Sequence, residues 1–93
     1  MKVAVIGSGT AGSRHLRIVG SLEDVEVIAV PARPSRLAEL ESAGYTVAPD
    51  IHSAADWGAT AAIVATDTGR HFENSIEALT EGLDLLIEKP MAV

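Results

Sequence analysis

The sequence contains no cysteine, which excludes a disulfide framework and a thiolate zinc site and is compatible with a reducing compartment. No apolar run is long enough to cross a bilayer, and the apolar stretch at residues 3–6 is too short for a signal peptide. Positive charge is scarce, with 7 lysines and arginines against 13 aspartates and glutamates, so no basic stripe is available to bind phosphates non-specifically. We therefore expect a cytoplasmic protein whose partners include neither nucleic acid nor a membrane.

Aromatic residues are also few, at 3%, and the apolar fraction of 47% consists mainly of alanine, valine, isoleucine and leucine. Short apolar runs occur at residues 1–6, 25–30, 60–65 and 83–87, and amphipathic helical patterns lie between them. Residues 45–47 are typical of a short edge strand, and residues 52–57 of a single helical turn. Alternating strands and helices predict a doubly wound parallel sheet in three α/β/α layers, formed by one domain over residues 1–93 that stops after the fifth strand.

Two of the predicted helices are amphipathic, because their apolar residues recur at helical spacing. One such face contains Ala11, His15, Ile18 or Val19, and Leu22, and the other contains Phe72, Ile76, Leu79 and Leu83. Gly44 and Gly82 follow helical segments, at positions where a helix ends best on a residue that tolerates the left-handed conformation.

The first strand runs directly into a Gly-x-Gly-x-x-Gly motif that opens the first helix. Its residues are Gly7, Ser8, Gly9, Thr10, Ala11 and Gly12. The first glycine permits a tight turn, the second lets the backbone approach a pyrophosphate, and the third lets the helix pack closely on the sheet. The phosphates would bind the N–H groups at the positive end of the helix. The motif predicts a Rossmann-like dinucleotide site, and the alternative is a purely structural turn.

The end of the second strand lacks the acidic residue that NAD-type sites place about 20 residues after the glycines to bind the adenosine ribose. The residues found there are Ala32, Arg33, Ser35 and Arg36. A guanidinium can bind a 2′-phosphate through two hydrogen bonds, whereas a carboxylate would repel it. The sequence therefore favours NADP over NAD as the cofactor. The alternative is that both arginines are solvated surface charges.

The fourth and fifth strands also end in polar residues, at the sheet edge where ligands of parallel sheets bind. Thr66 could contact the cofactor, and Asp67 or Thr68 could equally cap the next helix. His71 lies in the first turn of that helix, where the dipole disfavours imidazolium, so it could contact a neutral nicotinamide or cover the helix end. Lys89 follows the fifth strand and could orient a hydroxyl or move a proton, or it could be an ordinary exposed lysine.

Several motifs in one order resemble the Gfo/Idh/MocA oxidoreductases, the glucose-fructose oxidoreductase and inositol dehydrogenase family. They are residues 7–15 (GSGTAGSRH), residues 65–67 (ATD), His71, and residues 88–90 (EKP). The resemblance extends over essentially the whole of this chain. Within the family fold, it covers only the cofactor-binding half. It implies that Gly7, Gly9 and the backbone of Thr10 and Ala11 bind the pyrophosphate. It also implies that Thr66, His71 and Glu88 line the nicotinamide side and that Lys89 is the catalytic lysine.

The chain departs from the family pattern at two positions and in its length. Ala32 replaces the usual acid, and Asp67 replaces the proline that is common after the threonine of the fourth strand. Family members continue into a second domain that forms the substrate pocket, and without it no wall would hold a substrate near the nicotinamide. We expect residues 1–93 to be the NAD(P)-binding module of a sugar or polyol oxidoreductase that is catalytically incomplete alone.

Two other functions fit the same residues. One is a standalone module that binds or senses the dinucleotide without turnover, for which Lys89 would be dispensable. The other is an assembly fragment that binds no cofactor. Because the sheet would stop at an apolar edge, we expect self-association or a partner chain that covers this edge.

Overall fold

Five parallel strands form one sheet in the computed structural model, which describes residues 1–7, 10–66 and 68–87. The strands are β1 (Lys2–Ile6), β2 (Glu26–Val30), β3 (Thr46–Val47), β4 (Ala61–Val64) and β5 (Asp84–Ile87). Their order across the sheet is β3-β2-β1-β4-β5, so β1 lies at the centre between β2 and β4. Because the order reverses direction at β1, a crevice forms at its carboxyl end, where such sheets bind ligands.

Four helices cover the two faces of the sheet: α1 (Thr10–Gly20), α2 (Arg36–Ser42), α3 (Ile51–Trp57) and α4 (Thr68–Thr80). Leu16 of α1 and Leu40 of α2 pack in one buried cluster with the side chains of one sheet face. Residues of α3 and α4 pack in a second cluster on the opposite face, with Ala54 and Ala78 fully buried. The predicted doubly wound sheet in three α/β/α layers is therefore confirmed.

The predicted elements differ from the observed ones mainly at their ends. The predicted edge strand is present as β3, and both Gly44 and Gly82 have positive φ, as their positions after helices predicted. The sequence predicts a single helical turn at residues 52–57, whereas the observed helix α3 is longer and runs from Ile51 to Trp57. Asp50 caps it by accepting a hydrogen bond of 2.8 Å from the Ser53 N–H, and this bond holds the pKa of Asp50 below its usual value.

Of the four residues in the apolar face predicted for the last helix, Leu83 is buried just after the helix ends, and the other three are exposed. In α4, Phe72 is 73% exposed and Leu79 is 55% exposed, whereas Ser75 and Ala78 lie against the strands. Small side chains let a helix approach a sheet closely, so the larger apolar residues are left on the outer face. In the first helix, Leu16 is buried although it was not on the predicted face, whereas Val19 of that face packs partly buried against the same cluster and Ile18 and Leu22 are exposed. Among the described helices, none is long and apolar enough to cross a membrane.

Candidate functional site

Gly7 lies between the ends of three strands and starts the turn from β1 into α1. Its N–H donates a hydrogen bond of 2.8 Å to the carbonyl of Val30 at the end of β2. Its φ is +96°, and a Cβ at this position would lie 2.9 Å from Cγ2 of Thr66 and 3.0 Å from the carbonyl carbon and oxygen of Ala65. Both the left-handed conformation and this close approach to the end of β4 require glycine. Ser8 and Gly9, the next residues of the predicted turn, lie outside the described residues.

Helix α1 begins at Thr10, so Thr10, Ala11 and Gly12 form its first turn at the carboxyl end of β1. The first N–H groups of a helix have no partner within the helix, and the helix dipole makes this end positive. An anion such as a pyrophosphate is stabilised at this kind of terminus. The described part of the glycine motif, Gly7 and residues 10–12, therefore places the positive end of a helix at the carboxyl end of β1.

A cleft of about 180 Å³ opens at the same edge of the sheet, between the strand ends and the helices α3 and α4. Two of the predicted residues, Ala32 and Thr66, line it. The full lining is Ile6, Val30, Pro31, Ala32, Pro49, Asp50, Ile51, Thr66, Arg70, Asn74 and Glu77. Ligand pockets for drug-sized molecules usually measure about 300–1,000 Å³, so this cleft suits one part of a dinucleotide rather than the whole molecule.

Two buried polar atoms in the wall of the cleft lack a hydrogen-bond partner among the described residues. They are Oγ1 of Thr66 and Oδ1 of Asn74. Buried polar atoms of folded proteins are nearly always hydrogen-bonded, so each exception needs a cause. A polar ligand in the cleft would supply the missing partners, and these residues therefore fit a dinucleotide.

Sequence reasoning missed Asn74. The sequence feature that could have identified it is the helical spacing of three polar residues of α4, Arg70, Asn74 and Glu77, which all line the cleft. The apolar pattern of the same helix is stronger, and it predicted a different buried face. Its register becomes visible once the buried positions Ser75 and Ala78 are known.

The segment after β2 carries the predicted arginines on the protein surface. Ala32, Arg33 and Ser35 are exposed, and no ion pair involves Arg33 among the described residues. The side chain of Arg36 is 37% exposed, and its Nη1 donates to Oε1 of Glu39 at 3.0 Å. Arg33 is therefore the more available cation of the two.

Beyond the glycine turn, four of the predicted site residues cannot be placed relative to this cleft. Asp67, Glu88 and Lys89 lie outside the described residues. The last strand, β5, ends at Ile87, which directly precedes Glu88 in the sequence. His71 belongs to the first turn of α4, as its position predicted, and its side chain lies outside the description.

His52 takes part in a separate polar cluster. Its Nδ1 lies 3.1 Å from Oε1 of Glu81, and its Nε2 lies 3.4 Å from Oδ2 of Asp56. The hydrogen bond with Glu81 and the charge of Asp56 raise the pKa of His52 above its usual value. None of these three residues lines the cleft. Over the described part of the chain, no group of three or more acidic, histidine or cysteine side chains could hold a metal ion.

Two curated relatives match nearly the whole chain. Over 97 residues it is 41% identical to the myo-inositol dehydrogenase Hyg17 of Streptomyces leeuwenhoekii, covering 100% of this chain and 29% of that protein. Over 94 residues it is 32% identical to the inositol 2-dehydrogenase of Streptomyces avermitilis, covering 96% of this chain and 27% of that protein. The chain thus spans less than a third of the length of these relatives.

Solved structures and a family model agree with these relatives. A probable dehydrogenase from Thermotoga maritima superposes with a TM-score of 0.82 at 26% identity, covering 97% of this chain and 28% of that one. UDP-N-acetylglucosamine 3-dehydrogenase GnnA from Acidithiobacillus ferrooxidans gives a TM-score of 0.80 at 26% identity, covering 97% and 28%. The model of the oxidoreductase family with an NAD-binding Rossmann fold matches residues 1–93. The chain therefore belongs to the Gfo/Idh/MocA oxidoreductases, as an NAD-binding Rossmann domain of that family.

Proposed function

We propose that this chain is the cofactor-binding domain of a dehydrogenase that oxidises a CH–OH group of a polyol or sugar. The observation that carries the proposal is Gly7, whose positive φ and close approach to Ala65 and Thr66 build a turn into the positive end of α1. The proposed substrate class is supported by two relatives that are named as inositol dehydrogenases. We also propose that residues 1–93 form one domain and that another part of the protein supplies the substrate pocket.

The proposed roles follow the positions of the residues along the edge of the sheet. The N–H groups at the start of α1 hold the pyrophosphate, and the cleft beside β2 holds the adenosine end. Bound nicotinamide supplies the acceptor or donor of a hydride. Thr66, His71 and Glu88 border the nicotinamide side. Lys89 is proposed to orient the substrate hydroxyl and, in its neutral amine form, to receive the proton of that hydroxyl.

NADP is proposed as the preferred cofactor. Support comes from Arg33, which is exposed beside the cleft wall residue Ala32 and pairs with no acid among the described residues. A guanidinium at this position would bind a 2′-phosphate, whereas Ala32 offers no carboxylate to bind the ribose hydroxyls of NAD.

Calorimetric titration of the purified chain with NADPH and, in parallel, with NADH tests the proposal. We expect saturable binding of both cofactors, with NADPH binding more tightly. Absence of binding with either would show that the glycine turn has a structural role here. Equal affinities for NADPH and NADH would be consistent with a cofactor-binding domain and would contradict the proposed preference for NADP.

We further propose that the domain self-associates or binds a partner chain. The support is the exposed apolar surface of α4, where Phe72, Ile76 and Leu79 are 73%, 48% and 55% exposed. Exposed apolar patches of this kind favour contact with another surface. Sedimentation velocity is expected to show mass increasing with protein concentration. A monomer at every concentration, without a partner, would contradict self-association.

A further inference from the structure

Among the polar side chains of the cleft that the proposed roles do not use, Asn74 has a buried amide oxygen without a partner among the described residues. We propose that Asn74 selects adenine as the base of the bound dinucleotide by pairing with its amino edge. This inference rests on the proposed function, because it concerns the adenosine end of the same cofactor. It adds a residue that determines specificity.

The geometry of the fold places the base in this cleft. The pyrophosphate lies at the start of α1, and the adenosine ribose lies at the end of β2, near Ala32. The group attached to that ribose would enter the space between β2 and α4. Apolar side chains of Ile6, Val30 and Ile51 line this space and suit the flat face of an aromatic base.

The amide of Asn74, in the wall of the cleft, would then form hydrogen bonds with the edge of the base. An amide offers an acceptor and a donor side by side, and asparagine pairs with adenine through its N6 amino group and N7. Oδ1 of Asn74 is buried without a donor among the described residues, and a turn of the side chain toward the cleft would present it to the N6 amino group.

Guanine and hypoxanthine carry a carbonyl oxygen at position 6 in place of the amino group. On the edge formed by position 6 and N7, each of these bases presents two acceptors. The Asn74 amide can donate to one of them, but its own oxygen then faces the other. Turning the amide around exchanges the two contacts and does not remove the conflict. Discrimination is therefore expected in either orientation of the amide.

The other polar residues of the cleft are less suited to this role. The carboxylate of Asp50 already accepts a hydrogen bond from the Ser53 N–H, and the guanidinium of Arg70 has no acceptor for the N6 amino group. Glu77 is the remaining rival, because its carboxylate could also accept from an amino group. A Glu77→Ala variant, which removes this acceptor, separates the two residues, since our proposal expects it to keep the preference for adenine.

The test is calorimetric titration of the full chain with nicotinamide adenine dinucleotide and with its guanine and hypoxanthine analogues. The wild-type chain is expected to bind the adenine form about tenfold more tightly or better, as one well-formed amide–base pair implies. In Asn74→Ala the affinity for the adenine form should fall, and the three affinities should agree within about twofold. Asn74→Leu, which is close to asparagine in size, should behave in the same way. Glu73→Ala, an exposed neighbour on α4 outside the cleft, is the matched control and should discriminate like wild type.

The outcomes separate this inference from the proposed function. If the wild-type chain binds the adenine dinucleotide and its two analogues with equal affinity, the role of Asn74 is overturned and the proposed function is not. The same conclusion follows if the Asn74 variants discriminate between the bases as well as wild type does. No binding of any dinucleotide to the wild-type chain would overturn the proposed function and this inference together. Asn74→Ala and Asn74→Leu are not expected to unfold the chain, because both remove a buried acceptor that has no partner among the described residues.

Discussion

Replacing Gly7 with alanine is expected to lower the free energy of unfolding by about 3 kcal/mol and to abolish cofactor binding. A residue with a Cβ pays about 1–2 kcal/mol to adopt the left-handed conformation that Gly7 has at a φ of +96°. The new Cβ would also lie 3.0 Å from the backbone of Ala65, which directly follows β4 and is held by a hydrogen bond of 2.8 Å from its N–H to the carbonyl of Ile6. The end of β1 must therefore shift, and with it the turn that directs the chain into α1.

Gly44→Ala is the matched control. Its φ is +99°, nearly that of Gly7, but no heavy atom lies within 4 Å of the position that its Cβ would occupy. It should lose about 1 kcal/mol from backbone strain alone and bind the cofactor normally. Urea denaturation followed by circular dichroism measures the first effect, and calorimetry with NADPH measures the second. Equal losses of stability in the two variants would contradict the argument from close approach.

The sheet was predictable because its strands differ in composition from everything around them. The runs at β1, β2 and β4 are short, apolar and rich in valine, isoleucine and alanine, as strands buried on both faces are. The glycine after β1 marked the turn, and its positive φ confirms why glycine is needed there. These signals are local, so they could be recognised without knowledge of the packing.

The orientation of α4 was not predictable in the same way. A helix with one apolar face normally buries that face, and by this rule Phe72, Ile76 and Leu79 would contact the sheet. In α4 the contact is made by Ser75 and Ala78, because small side chains allow a closer approach. The choice between the two faces depends on the separation of helix and sheet, which the sequence of the helix alone does not contain.

The polar side of the site depends on the same tertiary information. Asn74 could be recognised as a wall residue after the rotation of α4 was known, since the cleft lies between α4, α3 and the strand ends. Arg36 is a converse case. The sequence predicts Arg36 as a ligand of the 2′-phosphate together with Arg33. In the structure, however, part of its guanidinium is engaged in a hydrogen bond to Glu39, three residues later on α2. The proposed preference for NADP therefore depends mainly on Arg33.

Arg33→Asp is expected to reverse the cofactor preference. Charge-assisted hydrogen bonds from a guanidinium to a phosphate contribute about 1.5–3 kcal/mol, so their loss should weaken NADPH binding by roughly tenfold to a hundredfold. The new carboxylate would also repel the 2′-phosphate. It could accept hydrogen bonds from the ribose hydroxyls of NADH, so the affinity for NADH should stay constant or rise. Parallel calorimetric titrations with the two cofactors measure both changes.

Arg17→Asp is the control for this variant, because it makes the same change of net charge at an exposed position in the last turn of α1. Surface charges are screened over about 10 Å at ordinary salt, so a distant substitution should alter the two affinities little and to a similar extent. Arg36→Ala should have a smaller effect than Arg33→Asp, since Glu39 already binds that guanidinium. If Arg33→Asp leaves the ratio of NADPH to NADH affinities unchanged, Arg33 is a solvated surface charge. The preference for NADP would then lose the residue on which it rests.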